Sequence, residues 1–202
     1  MPDGRIQPTR SPIHQRLRES TRADHLRLEG VLNLLDPELT RDQYGRVLVA
    51  FHEFYEPLET QFRRYHRAAS PALDFELPGR APLLMADLAV LGKSAVAHDR
   101  APLPEIRTLS EFAGRLYVVE GAALGGQVLA RHLAERWGLG RDSGAAFFSG
   151  SKPGEVGRRW ARVLDWLERV AKSGGNSRDM SAAASATFRA LENSVVTRAS
   201  RS

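Results

Sequence analysis

The segment from Leu116 to Leu133 has the apolar spacing of a helix interior, yet it carries Gly121, Gly125 and Gly126 in its middle. Each glycine inside a helix costs about 1 kcal/mol against alanine, so the three together give up on the order of 3 kcal/mol of helix stability. A chain that keeps this helix needs something to offset that cost. Gly121 and Gly125 are four residues apart, one above the other on a single face, and leave about one turn of bare backbone there. Bare backbone lets a flat object approach closely. Tyr117, one turn earlier on that face, would present a hydroxyl near the object's rim, while Val118, Val119, Leu124 and Val128 are expected to hold the helix in a core. A second reading of the same glycines is tight helix packing, in which small residues let two helices touch. The spacing alone leaves both open.

Breakers divide the rest of the chain into further helices. Residues 12–35 place Leu17, Thr21, His25, Leu28, Leu32 and Leu35 at spacings of three and four, an amphipathic stripe that Asp36 and Pro37 end. Thr40 to Gln43 reads as a helix cap, followed by a long aromatic-rich helix to about Ala69 that bends near Pro57, where an amide donor is missing. Ser70 and Pro71 break the chain, residues 81–92 suit a short helix, and His98 to Pro104 is a connection. Leu109 to Trp137 is the glycine-bearing helix; another starts at or just after Pro153 and runs to about Ala171, and Met180 to Val196 forms the last. No segment sustains strand alternation and no repeat is present, so the expectation is one all-α domain over residues 12–196, with disordered tails at 1–11 and 197–202. A length of 202 residues with 42% hydrophobic residues is enough for one well-buried domain.

Composition excludes several function classes. The net charge of +5 looks suited to nucleic acid, but residues 1–22 hold five arginines against Asp3 and Glu19, Arg198 and Arg201 add two charges, and the body between is neutral. A nucleic-acid groove needs basic residues clustered across the folded body. The N-terminal excess can still serve an anionic small molecule. No run of about 18 apolar residues is long enough to span a membrane, and the N-terminus lacks the apolar stretch of an export signal. With no cysteine there is no disulfide, thiolate ligand or cysteine nucleophile, which fits a cytoplasmic location.

Six histidines, His14, His25, His52, His66, His98 and His132, are the candidate metal ligands. None forms a His-x-x-x-His or Glu-x-x-His pattern, so a multi-ligand protein metal site is poorly supported. That leaves a single histidine on a metal already held by a cofactor. His25 has the best surroundings, because Glu29 lies one turn later, where its carboxylate can accept a hydrogen bond from the second imidazole nitrogen and fix the ring. Taken alone, a histidine on such a stripe is more often an ordinary core residue. Arg18, two turns before His25 on nearly the same face, could pair with a carboxylate some 10 Å from the metal, a spacing that suits heme and its propionates.

Thr21-Arg22-Ala23-Asp24-His25-Leu26-Arg27-Leu28-Glu29, taken together with Tyr117-Val118-Val119-Glu120-Gly121-Ala122-Ala123-Leu124-Gly125-Gly126-Gln127-Val128-Leu129, closely resembles the heme oxygenases, the short bacterial type in particular. The likeness extends over roughly residues 12–192 in helix order and length. It implies an all-α fold with heme between a proximal helix and a kinked, glycine-rich distal helix. By motif position His25 is then the axial iron ligand, Glu29 its partner, and Gly121 and Gly125 the close distal contacts where catalysis occurs. Arg18 and Tyr117 match positions that hold propionates, Arg159 and Arg162 resemble the basic residues of the same clamp, and Phe188 matches an aromatic of the pocket wall. The resemblance implies cleavage of heme with oxygen and electrons from a reductase or ferredoxin, giving biliverdin, ferrous iron and carbon monoxide. A biliverdin acceptor such as a bacterial phytochrome is a further partner it allows, and a monomer is the expected state.

One departure bears on the reaction. Animal members have an aspartate directly after the first distal glycine, and this chain has Ala122 there, which implies a different distal water network. Two other classes remain as alternatives: a heme carrier or sensor that binds without turnover, and a helical scaffold with no cofactor.

Overall fold

Pro12 sits in the first turn of α1 (Pro12–Leu32), and the Ser11 hydroxyl accepts from the His14 N–H at 3.3 Å, so this helix begins where its cap and proline direct. It is one of seven α-helices in a computed structural model that describes residues 11–94, 104–149 and 154–200, among which no strand occurs. The N-terminal arginine-rich segment up to Arg10, His98 and Pro153 lie outside those described residues. α1 stops at Leu32, three residues before the expected Leu35, because Asn33 turns into the left-handed region at φ 40° and returns its N–H to the Glu29 carbonyl.

α2 (Arg41–Ala69) opens with the expected reciprocal cap between Thr40 and Gln43, and Pro57 lies inside it without ending it. α3 (Ala81–Val90) follows, then α4 (Leu109–Trp137), which has the expected bounds. Thr108 and Glu111 cap it, and Gly138 closes it at φ 68°. α5 (Ala146–Ser149) is a short turn with no forecast in the sequence. α6 (Glu155–Lys172) precedes α7 (Ser177–Ala199), which starts three residues before the expected Met180 because the Asn176 side chain accepts from the Arg178 and Asp179 amides. α7 also continues past Val196 to Ala199.

α7 is the central post: α1, α2 and α4 all pack on it, α6 bridges α4 and α1, and α3 lies on α2. Leu17, Leu48, Leu58, Phe62, Phe112, Leu116, Leu167 and Met180 fill the space between them and are fully buried, each stabilising the fold by roughly 1.5–3 kcal/mol. The tightest approach is at Gly114, where an added Cβ would stand 2.1 Å from the Met180 carbonyl oxygen. α4 and α7 therefore touch backbone to backbone at this level. Two buried carboxylates fasten the smaller helices. Glu59 accepts the Arg80 and Ala81 amides at the start of α3, and Asp87 accepts the Ala146 and Phe147 amides at 2.6 and 2.8 Å at the start of α5.

Candidate functional site

α1 and α4 both pack on α7 and make few contacts with each other. Their starts converge on the start of α7, where Arg16 Nη1 donates to Ser177 Oγ at 3.1 Å and the Asn176 amide to Ser110 Oγ at 2.9 Å. The end of α4 is tied to the connection that follows α1 and to the start of α2, with Arg136 donating to the Leu39 carbonyl at 2.8 Å and Arg41 to the Trp137 carbonyl at 3.1 Å. Between these two closures both helices lean on α7 and scarcely touch each other. The region between α1 and α4, with α7 behind it, is the candidate slot.

On the α1 side lies His25. The buried stripe is Ile13, Leu17, Thr21, Asp24 and Leu28, which faces α7 and leaves His25 on its flank with a side chain 54% exposed. The expectation of His25 on the apolar stripe is corrected by that placement, and with it the ordinary-core alternative is removed. Glu29 Oε2 lies 3.5 Å from His25 Nδ1, as the one-turn spacing requires, and the Phe188 ring of α7 meets the imidazole edge to face at 5.6 Å. Behind His25, the Asp24 carboxylate bonds Arg27, whose Nε lies 3.5 Å from Glu192, and Arg189 Nη1 stands 3.9 Å from Asp24. These ion pairs hold this stretch of α1 to α7.

On the α4 side the helix changes character at Gly121. From Phe112 to Glu120 every residue is buried; of the residues from Gly121 to Trp137, only Gly126 and Leu133 are. A Cβ at Gly125 would meet nothing within 4 Å, and one at Gly121 would make ordinary contact with Trp160 at 3.4 Å. Tight protein packing therefore does not explain these two glycines. Leu124 and Val128, expected in the core, are 40% and 57% exposed; Val118 and Val119 do hold the helix. The second half of α4 has no neighbouring helix on this side to bury them.

At the end of the slot nearest the helix starts, Tyr117, His14 and Trp160 form a ring cluster with centroids 5.5–6.2 Å apart. Burial raises the Tyr117 phenol, against smaller opposing effects of Thr21 and Arg18, and burial followed by the Arg18 charge lowers the His14 imidazole. Arg18 itself is exposed and forms no ion pair among the described residues, so its charge is available to an anion. Arg159, expected at the same anion, is committed elsewhere. Its Nε and Nη2 both reach the buried Glu120 carboxylate at 2.6 Å, and Nη2 also donates to the Glu76 carbonyl at 2.7 Å. Hydrogen bonding to Glu120 raises its pKa further. Arg162 is exposed and donates to the Asp74 carbonyl at 3.4 Å.

Sequence reasoning did not single out Trp160, and it named His14 only among the six candidate metal ligands. An i to i+11 spacing from His14 to His25 was a usable signal, since three turns return to nearly the same face. Trp160 had none, because its place depends on how α6 crosses α4. No cluster of three or more metal-ligating side chains occurs among the described residues.

Comparison with known proteins adds the following. A heme oxygenase family model matches residues 11–197. Heme oxygenase PigA of Pseudomonas aeruginosa is 33% identical over 149 residues, covering 64% of this chain and 72% of the relative. A heme oxygenase of Xanthomonas campestris pv. campestris is 31% identical over 147 residues, covering 73% of this chain and 85% of the relative. The fold is similar to the NO- and CO-bound heme oxygenase of Neisseria meningitidis, with a TM-score of 0.78 at 19% identity over 92% of this chain and 91% of that one. It is also similar to a heme oxygenase of Leptospira interrogans, with a TM-score of 0.71 at 18% identity over 92% and 98%.

Proposed function

Because this chain belongs to the heme oxygenase family, an enzyme family that degrades heme, we propose that it opens the heme ring within the slot between α1 and α4, giving biliverdin, ferrous iron and carbon monoxide. The observation that carries the placement is the empty space over Gly125, a cradle that a side chain would fill, with an exposed imidazole on the facing helix. Bound there, heme supplies both the iron and the ring to be cleaved.

His25 would hold the iron through Nε2. Glu29, with its carboxylate 3.5 Å from Nδ1, would hold the proton on that nitrogen and leave Nε2 as the free lone pair, while the Phe188 ring packed at 5.6 Å limits rotation of the imidazole. As a neutral imidazole, His25 would hold the iron and leave the oxygen chemistry to the heme. Gly121 and Gly125 let the ring lie against α4 with no side chain over it. The exposed faces of Leu124 and Val128 would be covered by the ring, at roughly 25 cal/mol per Å² of apolar area removed from water, which offsets the helix cost of the glycines. Arg18, with the Tyr117 hydroxyl beside it, is positioned to receive propionate, with Arg162 as a further cation on the α6 side. Arg159 acts indirectly by locking α6 to Glu120.

Heme oxygenases need a redox partner, and we assign that role to a reductase or ferredoxin and the reaction to the cytoplasm. A bacterial phytochrome is a candidate acceptor of biliverdin, and a monomer is sufficient for the site as described. No helix among the described residues is long and apolar enough to cross a membrane. The test is direct. Hemin added to the protein should give a Soret band, and oxygen with a reductase or ascorbate should convert it to the spectrum of a linear tetrapyrrole. A Soret band that persists intact would make the chain a heme carrier, and no band at all would remove heme from the slot.

A further inference from the structure

The two glycines that share a face of α4 do not share surroundings. A Cβ on Gly121 would touch the benzo edge of the Trp160 indole, with Cη2 at 3.4 Å and Cζ3 at 3.6 Å, whereas a Cβ on Gly125, one turn later, would meet nothing within 4 Å. The strip of bare backbone is therefore stopped at Gly121 and open at Gly125. Trp160 reaches it from α6, and its ring also meets Tyr117 of α4 at 5.5 Å and, edge to face, His14 of α1 at 5.7 Å. One side chain thus spans both sides of the slot. Its helix is fastened on either side of it: Arg159, the preceding residue, makes two bonds to the buried Glu120, and Trp166 Nε1 donates to the Ala72 carbonyl at 2.8 Å. Trp160 itself packs on the core but is only partly buried, so its ring keeps apolar surface to offer.

A flat macrocycle tied by one axial bond is free to turn about that bond, and only contacts at its rim fix the rotation. The cations at this end do so weakly. Arg18 and Arg162 are exposed, and a long charged side chain follows its carboxylate through many rotamers. An indole has two torsions, and here rings from two other helices hold it. We propose that Trp160 is the end stop of the slot: its benzo edge bears on the rim of the macrocycle beside Gly121, selects one in-plane rotation of heme, and so selects the meso carbon at which the ring is opened. Trp160 is then a specificity-determining residue, and Arg159 positions it through Glu120. Iron binding does not depend on it, because His25 lies three turns along α1 from His14. This inference rests on the heme oxygenase reading of the slot.

Two variants test it: Trp160→Leu, which removes the indole and keeps an apolar side chain, and Trp160→Phe, which keeps a shorter ring. The first readout is proton NMR of the cyanide complex, formed with a hemin whose two vinyl groups are replaced by methyls so that turning the ring over adds no second species. The wild type should give one set of heme methyl resonances, with a nuclear Overhauser contact between a rim substituent and the indole benzo protons. Trp160→Leu should give a second set. With native hemin, oxygen and ascorbate, the biliverdin from Trp160→Leu should contain a second meso isomer raised about tenfold over the wild type, the size of one lost aromatic contact, with hemin affinity held within about fivefold. Trp160→Phe should fall between the two. A wild type without the indole contact overturns the proposal, and so does a Trp160→Leu protein whose methyl resonances and isomer ratio match the wild type. Should Trp160→Leu fail to fold, the wild-type contact and the isomer ratio of Trp160→Phe decide. A wild type that takes up no hemin overturns the reading of the slot and this inference with it. One that binds hemin without opening it overturns the reaction alone, and the methyl resonances still decide the end stop.

Discussion

The two halves of α4 use the same residue type for opposite ends. Gly114 lies in the buried half, and its missing Cβ is demanded by the fold, since the Met180 carbonyl of α7 occupies the space. Gly125 lies in the exposed half, and its missing Cβ is demanded by nothing in the protein. Both carry the same helix cost of about 1 kcal/mol. In the first half that cost is offset within the folded chain by close packing of α4 on α7. In the second half no packing among the described residues offsets it, and the proposed function assigns the compensating contact to heme. A glycine in a helix is thus read by what a Cβ would strike, and only the tertiary structure supplies that.

The largest expected effect breaks the first half alone. Gly114→Ala should destabilise by about 3 kcal/mol or more, because backbone on α7 cannot yield as a flexible side chain can; a urea midpoint equal to wild type would show that α4 and α7 are not in backbone contact. Next comes the slot's facing side. His25→Ala should cut turnover by more than about a hundredfold while changing the unfolding free energy from urea titration by no more than about 0.5 kcal/mol, since the ring is mostly outside the core. Retained turnover would remove His25 from the iron.

Smaller effects sharpen the contrast within α4. Gly125→Ala should raise the stability of the unliganded protein by about 1 kcal/mol and yet weaken hemin binding, and Gly125→Leu should abolish turnover by bulk. If Gly125→Ala instead destabilised the unliganded chain, the two glycines would not differ in kind. Glu29→Gln should lower turnover about tenfold, by loosening the proton on Nδ1; spectra of the hemin complex would register the change in the imidazole.

The smallest effect is a pH dependence at the closed end of the slot. Burial, then Arg18, lowers the His14 pKa below its ordinary 6.5, so the folded state binds this proton less readily than the unfolded chain. Its contribution to stability is fully present above about pH 6.5 and is lost as pH falls through the lowered folded value. His14→Gln should flatten that part of the stability profile by a fraction of a kcal/mol, and a profile unchanged by the substitution would place the imidazole in solvent.

Helix order was legible along the chain because caps and breakers act over a few residues. Thr40 with Gln43, the bounds of α4 and the break after Ala69 needed nothing beyond local hydrogen bonding. Two boundaries failed on single residues that a closer reading of caps would have caught: Asn33, which ends α1 in a left-handed conformation, and Asn176, which starts α7. The pairing of His25 with Glu29 was equally legible, since one helical turn determines it.

Everything that depended on which helix faces which was out of reach. The exposure of Leu124 and Val128 depends on which helices neighbour α4, and the capture of Arg159 by Glu120, the placing of Trp160 on Gly121 and the nucleation of α5 by Asp87 join residues at least 39 positions apart. Local sequence determined the elements, the histidine with its acceptor, and the anomaly of three glycines in one helix. Packing alone decided that one face of that helix is left bare, because burial is a property of the space between elements and each element carries only half of it.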